Sequence, residues 1–126
     1  MSAAGKILRI DHVQLAMPKG TEDRARSFYH DVLGMKEIAK PEPLAGRGGC
    51  WFASGDAQVH LGVEEDFHPA KKAHPALVVE GLDEILAKCH AAELPTQSDT
   101  AIDGRRRVHV FDAFGNRLEL IEAKII

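Results

Sequence analysis

The 126-residue chain has only two cysteines, Cys50 and Cys89, and they stand in no pattern. A disulfide framework or a structural zinc knuckle needs more, at regular spacing, so both read as free thiols. Basic residues are not in excess either: 16 Lys and Arg are set against 19 Asp and Glu, giving a net charge of −3 with both signs interspersed. Arg105-Arg106-Arg107 is the only basic run, too short for the stripe that nucleic acid or an anionic membrane surface requires. No apolar stretch approaches the ~20 residues of a membrane-spanning helix, and the N-terminus lacks the charged, apolar and small-residue sections of a signal peptide. These absences predict a cytoplasmic protein without nucleic-acid or membrane partners. No low-complexity segment occurs, and the length suits one domain, 1–126, with a single core.

What the chain does have is an internal repeat. His12-Val-Gln-Leu-Ala-Met17 lies over His74-Pro-Ala-Leu-Val-Val79 at an offset of 62, histidine over histidine and Leu15 over Leu77. Val59-His60-Leu61 lies over Leu118-Glu119-Leu120 at an offset of 59, which Trp51-Phe52 over Val110-Phe111 shares. One small deletion between the blocks explains the difference. Each half shows the same order of elements, βαβββ, over approximately residues 7–64 and 74–123, so the two modules must share a sheet or a partner chain.

Local patterns place the elements. Ile7 to Met17 alternates, with Val13, Leu15 and Met17 on one face and His12, Gln14 and Ala16 on the other, the period of a strand. Thr21 is positioned to cap a helix in which Ala25, Phe28, Tyr29, Val32 and Leu33 recur at helical spacing before Gly34 stops it. Met35 to Ala39 reads as a short strand, Pro41 to Gly49 as a loop, and Cys50 to Ala53 with Gln58 to Val63 as a hairpin. In the second half His74 to Val79 is a strand, and Leu82, Ile85, Leu86 and Cys89 mark a helix that Pro95 ends. Thr96 to Ile102 is a weakly patterned strand, and Arg107 to Phe111 with Arg117 to Ile121 forms the last hairpin.

Alternation then sorts the faces. His60 shares a face with Gln58 and Gly62, opposite Val59, Leu61 and Val63; Glu119 shares one with Arg117 and Ile121, opposite Leu118 and Leu120. His12, His60, His74 and Glu119 all fall on the face away from the apolar row. If the half-sheets curl towards one another, the four converge in one concave surface. A single strand histidine is far more often an ordinary surface or core residue than a ligand. Four ligand-type residues at repeat-equivalent positions point instead to a metal site. Three imidazoles and a carboxylate suit a borderline divalent ion (Zn, Ni, Fe, Co or Mn) better than Ca or Mg. An octahedral ion held this way keeps two adjacent positions, which suits a substrate with vicinal oxygens. Gln14 lies on the same face. His109 alternates onto it with Arg107 and Phe111, and the repeat register makes Cys50 and Phe52 its counterparts, so these six are the expected pocket walls. Trp51 falls opposite and reads as core. His30, His68 and His90 have no repeat counterpart and read as solvated.

With Ile10-Asp11-His12-Val13 and Val59-His60-Leu61 bounding the first module, and His74-Pro-Ala-Leu-Val and Asp112-Ala-Phe-Gly-Asn-Arg-Leu-Glu-Leu-Ile-Glu122 the second, the chain resembles the vicinal oxygen chelate superfamily. That group includes glyoxalase I, methylmalonyl-CoA epimerase, extradiol dioxygenases, fosfomycin resistance thiol transferases and bleomycin resistance proteins. The resemblance implies an α+β fold of two βαβββ modules, forming a curved mixed sheet around a cup-shaped metal site. It implies that His12, His74 and Glu119 are the recurring metal triad, with His60 at the variable fourth position, which is Glu in bacterial glyoxalase I and Gln in the epimerase. It also implies a small-molecule substrate and a homodimer, with the cup built within one chain or across two.

The His60 imidazole leaves Glu119 as the only metal-side carboxylate, which speaks against a plain glyoxalase I assignment. The potassium-loop and phosphonate-binding pattern of fosfomycin enzymes is absent, and the intact quartet speaks against simple drug sequestration. The expectation is therefore a metal-dependent lyase, isomerase or dioxygenase in which Glu119 or a metal-bound hydroxide takes a proton while His109 and Arg107 orient the substrate anion. The alternative is a protein that sequesters a small molecule or antibiotic in the cup.

Overall fold

Alternating apolar residues decide which side of each strand is hidden, and the two halves of the chain solve that problem in parallel. The computed structural model describes residues 4–124. Strands β1 (Val13–Met17), β2 (Lys36–Ile38), β3 (Cys50–Ser54) and β4 (Ala57–Val63) form one mixed sheet in the order β1-β4-β3-β2. Strands β5 (Ala76–Val79), β6 (Thr96–Ile102), β7 (Arg105–Phe111) and β8 (Arg117–Glu122) form the other in the order β5-β8-β7-β6. In each sheet the first strand runs parallel to the last and the remaining pairs are antiparallel. A helix follows each first strand, α1 beginning at Glu22–Arg26 and α2 spanning Leu82–Ala91. The α+β, twice-βαβββ expectation holds, with the sheet divided into two halves.

Val13, Leu15 and Met17 pair with Val59, Leu61 and Val63, and Val108 and Val110 pair with Leu120 and Leu118. All of these but Val13 join one apolar cluster that also holds Ala25, Phe28, Tyr29 and Val32 from the first helix and Leu82 and Cys89 from the second. Both modules therefore contribute to the same core, and burial of this apolar surface is the main force joining them.

Four local expectations need correction. The predicted strand from Ile7 begins only at Val13, and Ile7, Leu8 and Ile10 are 94%, 73% and 78% exposed. Its parallel partner β4 starts at Ala57, just past the Gly55-Asp56 turn, so the earlier residues have no ladder to join. The Thr21 hydroxyl donates to the Pro18 carbonyl (2.6 Å) rather than capping the helix. After Arg26 the helix widens to a π form over Ser27–Val32, with Leu33 N donating back to Phe28 O. The Pro41 to Gly49 loop contains a 3₁₀ segment, Glu42–Arg47.

Two loops tie the modules to their surroundings. Gly49 has φ +83°, and a side chain there would fall against the Leu61 carbonyl oxygen, so the backbone lies directly on β4. Its N–H donates to Glu22 Oε2 (2.8 Å), which fixes the loop end to the start of α1. The Asp112 to Asn116 turn of the second module reaches into the first: Tyr29 Oη donates to Asp112 Oδ2 (2.7 Å), and Asn116 Nδ2 donates to Ala16 O (2.8 Å). Burial, with the neighbouring Asp112 charge, pushes the Tyr29 phenol well above its ordinary range, so it keeps its proton and donates.

Candidate functional site

Cross-strand pairing sets the side chains of interest on the face turned away from the core. In the second module Glu119 stands opposite His109 on β7 and Ala76 on β5, and His74 lies two residues before β5. His74, His109 and Glu119 form the only group of three ligand-type side chains among the described residues, with their ligand atoms within 4.8 Å of one another. His109 and Glu119 are buried.

The hydrogen bonds assign the protons. The Lys72 carbonyl can only accept, so His74 Nδ1 donates to it (2.8 Å) and its proton resides there. Nε2 faces Glu119 Oε1 at 3.0 Å, and the position between them takes a single cation, a proton that Nε2 donates to the carboxylate or a metal ion in its place. Arg107 Nη1 donates to Glu119 Oε2 and bridges to Asp99 Oδ2, both at 3.3 Å. His109 is engaged at both nitrogens: Arg117 Nε donates to Nδ1 (3.2 Å), and Nε2 donates to Asp99 Oδ2 (2.8 Å). Its tautomer is thereby fixed, and it braces the group rather than offering a free lone pair.

Burial alone would raise the Glu119 carboxyl, but the His74 and Arg107 hydrogen bonds outweigh it and hold the group below its ordinary value of 4.5. Glu119 is thus ionised at neutral pH. A folded-state value below the unfolded one contributes stability that is present above the unfolded value and lost as pH falls through the folded one. Thermal melts of wild type and Glu119→Gln should accordingly converge as pH drops below about 4. A constant difference between the two down to pH 2, on the order of complete protonation, would contradict this.

In the first module His60 is sandwiched between two rings: Trp51 at a centroid distance of 3.8 Å and His12 at 4.0 Å, both nearly parallel to it. Burial, with the nearby His12, pushes His60 below its ordinary value and keeps the imidazole neutral. His12 Nδ1 lies 2.9 Å from Asp11 Oδ2, so each of His12 and His74 has its Nδ1 held by an oxygen acceptor.

Of the predicted quartet, the structure brings His74 to Glu119 and His12 to His60, each pair on its own sheet. The four do not form one group. His12 and His74, with Gln14, do line a shared cavity of about 960 Å³ with largely apolar walls. Arg107, His109 and Phe111 lie on the Glu119 face as expected.

Cys50 and Phe52 do not line the site. Both are buried in the core, Phe52 stacked on Tyr29, and Trp51 takes the face beside His60 instead. The cause is a one-residue slip. His60 stands opposite Trp51, nine positions earlier, whereas Glu119 stands opposite His109, ten positions earlier. The offset of 59 on β4 and β8 therefore becomes 58 on β3 and β7, and a slip of one exchanges the faces of a strand. Asp99 was missed because β6 is polar and exposed, with an irregular register after Asp99. The available signal was an acid on a strand facing Arg107.

Comparison with known proteins agrees with this geometry. A family model described as the glyoxalase/bleomycin resistance protein/dioxygenase superfamily matches residues 9–120. The chain is similar to the crystal structure of a glyoxalase family protein from Bacillus anthracis, at 46% identity and a TM-score of 0.88, covering 97% of this chain and 100% of that one. A glyoxalase/dioxygenase from Nostoc punctiforme shares the fold at 17% identity and TM-score 0.74, covering 98% and 100%. So does a mutant of the fosfomycin resistance protein FosX from Listeria monocytogenes, complexed with Mn(II) and 1S,2S-dihydroxypropylphosphonic acid, at 13% identity and TM-score 0.77, covering 95% of each. No curated protein matches the sequence. Among the described residues no helix is long and apolar enough to cross a membrane.

Proposed function

Because the chain belongs to the glyoxalase/bleomycin resistance protein/dioxygenase superfamily, we propose that it is a divalent-metal-dependent enzyme acting on a small molecule with vicinal oxygens, through glyoxalase-like lyase or isomerase chemistry or through dioxygenase chemistry. The observation that carries this reading is His74 Nε2 set 3.0 Å from Oε1 of the ionised Glu119 carboxylate, with Nδ1 held by the Lys72 carbonyl. Two donors in that relation fit a borderline divalent ion. His12, His60, His74 and Glu119 would hold it, and Zn, Ni, Fe, Co and Mn all suit the set. The FosX complex with Mn(II) and a vicinal diol supports a divalent ion and an adjacent-oxygen ligand on this fold.

When bound, the ion supplies Lewis acidity toward two neighbouring substrate oxygens. The chain's own groups do the rest. Glu119, ionised and desolvated, accepts the substrate proton. Arg107, spanning Asp99 and Glu119, balances the anionic charge, and His109 keeps Arg117 and Asp99 in place through its fixed tautomer.

The site is assembled between two copies of the chain, His12 and His60 from one and His74 and Glu119 from the other. The separation of the two pairs within one chain supports this. So do Ile7, Leu8 and Ile10, apolar residues that a lone chain leaves in water just ahead of His12. The test is elemental analysis of protein purified without added metal, beside His12→Ala, Glu119→Ala and a co-refolded mixture of the two. Each variant alone should be empty, and the mixture should regain metal in about one quarter of its sites, as random pairing of chains gives one intact site per heterodimer. No recovery would place the site within one chain, and a metal-free wild type would sink the metal reading.

The second reading is a protein that sequesters a small molecule, favoured by the largely apolar cavity beside His12 and His74. Turnover of hemithioacetals, acyl-CoA epimers or catechols under oxygen separates the two. Tight ligand binding with no turnover of any of them would favour sequestration.

A further inference from the structure

Behind the His12–His60–Trp51 stack lies a second cavity, of about 200 Å³, that none of the groups described above explains. Its wall on the sheet side is Gly62 of β4, with the Gln14 side chain lying across it; a Cβ at position 62 would collide with the Gln14 amide. Trp51 closes one end. The 3₁₀ segment forms the cover and contributes Leu44 and Arg47, while Lys40 enters from the end of β2. This cover is fixed rather than loose. Lys40 Nζ donates to the Gly48 carbonyl, Gly49 lies on the Leu61 backbone, and its N–H is held by Glu22.

The charge in this cavity is one-sided. Lys40 and Arg47 line it, and no acidic residue does. The Glu22 carboxylate, which adjoins Gly48 at the edge of the recess, accepts the Gly49 N–H. Among the described residues neither the Arg47 guanidinium nor the Gln14 amide has a hydrogen-bond partner. A Gly-floored recess lined by a planar cation, an ammonium group and a free amide is complementary to an oxyanion. Its size admits a group such as a carboxylate or phosphate with its first few attached atoms, not a whole cofactor.

We infer that this recess is an anion subsite, taking a terminal carboxylate or phosphate of the small molecule whose vicinal oxygens lie at the candidate metal site. Trp51 joins the two, stacked on His60 and lining the recess. The substrate class is then a small anionic molecule with its charged end distal to the reacting oxygens. That part of the inference rests on the metal-enzyme reading, whereas the anion subsite itself does not.

Trp51 is the only tryptophan in the chain, so its fluorescence reports on the recess. Metal-stripped protein is titrated with malonate and, separately, with inorganic phosphate, at constant ionic strength set with chloride. Saturable change in the millimolar range or tighter is expected for at least one of the two, and the tighter of them identifies the source of the anion. Arg47→Ala should weaken it by about tenfold or more, Arg47→Lys by less, because a charge-assisted fork is lost or only reduced. Gly62→Val should abolish it by displacing Gln14 into the space, while Arg106→Ala, on the other sheet and, among the described residues, paired only with Asp83, should leave it unchanged. Saturation lost in Arg106→Ala, or kept at wild-type affinity in Arg47→Ala, overturns the subsite. So does the absence of saturation by both anions. Wild type found metal-free by elemental analysis before any stripping, yet binding anion in this assay, retires the enzyme reading and leaves the subsite standing.

Discussion

Glu119→Ala is expected to lower divalent-metal affinity more than 100-fold, since even partners standing behind a ligand are worth about 10–100-fold. His74→Ala should match it, because the two share one cation position through Nε2 and Oε1. His109→Ala should cost less, on the order of tenfold, because both its nitrogens are bound to Arg117 and Asp99 and its contribution is to brace. Isothermal titration with Zn or Ni into the metal-free variants gives the order directly. A His109→Ala loss as large as that of Glu119→Ala would make His109 a ligand and displace the first-module histidines from the proposed set. Thermal melts of the metal-free variants guard against mistaking unfolding for lost coordination.

The largest stability effect should come from Asp112, a residue with no part in the proposed chemistry. Its carboxylate is buried and accepts four hydrogen bonds: from Tyr29 Oη and Asn116 Nδ2 on Oδ2, and from Phe114 N and Asn116 N on Oδ1, all between 2.7 and 2.9 Å. Asp112→Ala strips four buried donors of their acceptor at once. An unsatisfied buried group costs about 1–3 kcal/mol, and the effects within one network are not additive, so a loss of about 4 kcal/mol is expected. For a chain of this size that lowers Tm by roughly 15 °C. Tyr29→Phe removes one donor cleanly and should cost about 1–2 kcal/mol. Urea unfolding of the two single variants and the double variant measures both. An Asp112→Ala loss under about 1 kcal/mol would mean that water replaces the network and that the turn does not hold the modules together.

These two outcomes also mark what was legible in the chain. Period-2 alternation in residues 13–17, 59–63 and 118–120 placed His60 and Glu119 correctly on the open face, because a buried apolar row leaves the opposite row no choice. The β4 and β8 register transferred between repeats because both strands pair in parallel with the strand that opens their module. The β3 and β7 register did not, because it is set through hairpin turns of unequal length. That one residue put Cys50 and Phe52 in the pocket on paper and Trp51 in the core, the reverse of what the fold does. Asp99 was illegible for another reason. Its strand buries almost nothing, so no hydrophobic period marked its face. The grip of Asp112 on Tyr29 spans 83 positions, and only the packed fold brings the pair together.

The unequal turns have one more consequence. The Gly55-Asp56 turn is exposed and, among the described residues, makes no hydrogen bond to the second module, while its counterpart at 112–116 is largely buried against the first. The two modules, alike in element order, are therefore joined in one direction only, with one turn serving as an anchor and the other left out of the joint. Insertions at the first turn leave the joint between the halves intact and act instead on the cavity beside His12, which Asp56 lines. The second turn is closed to them.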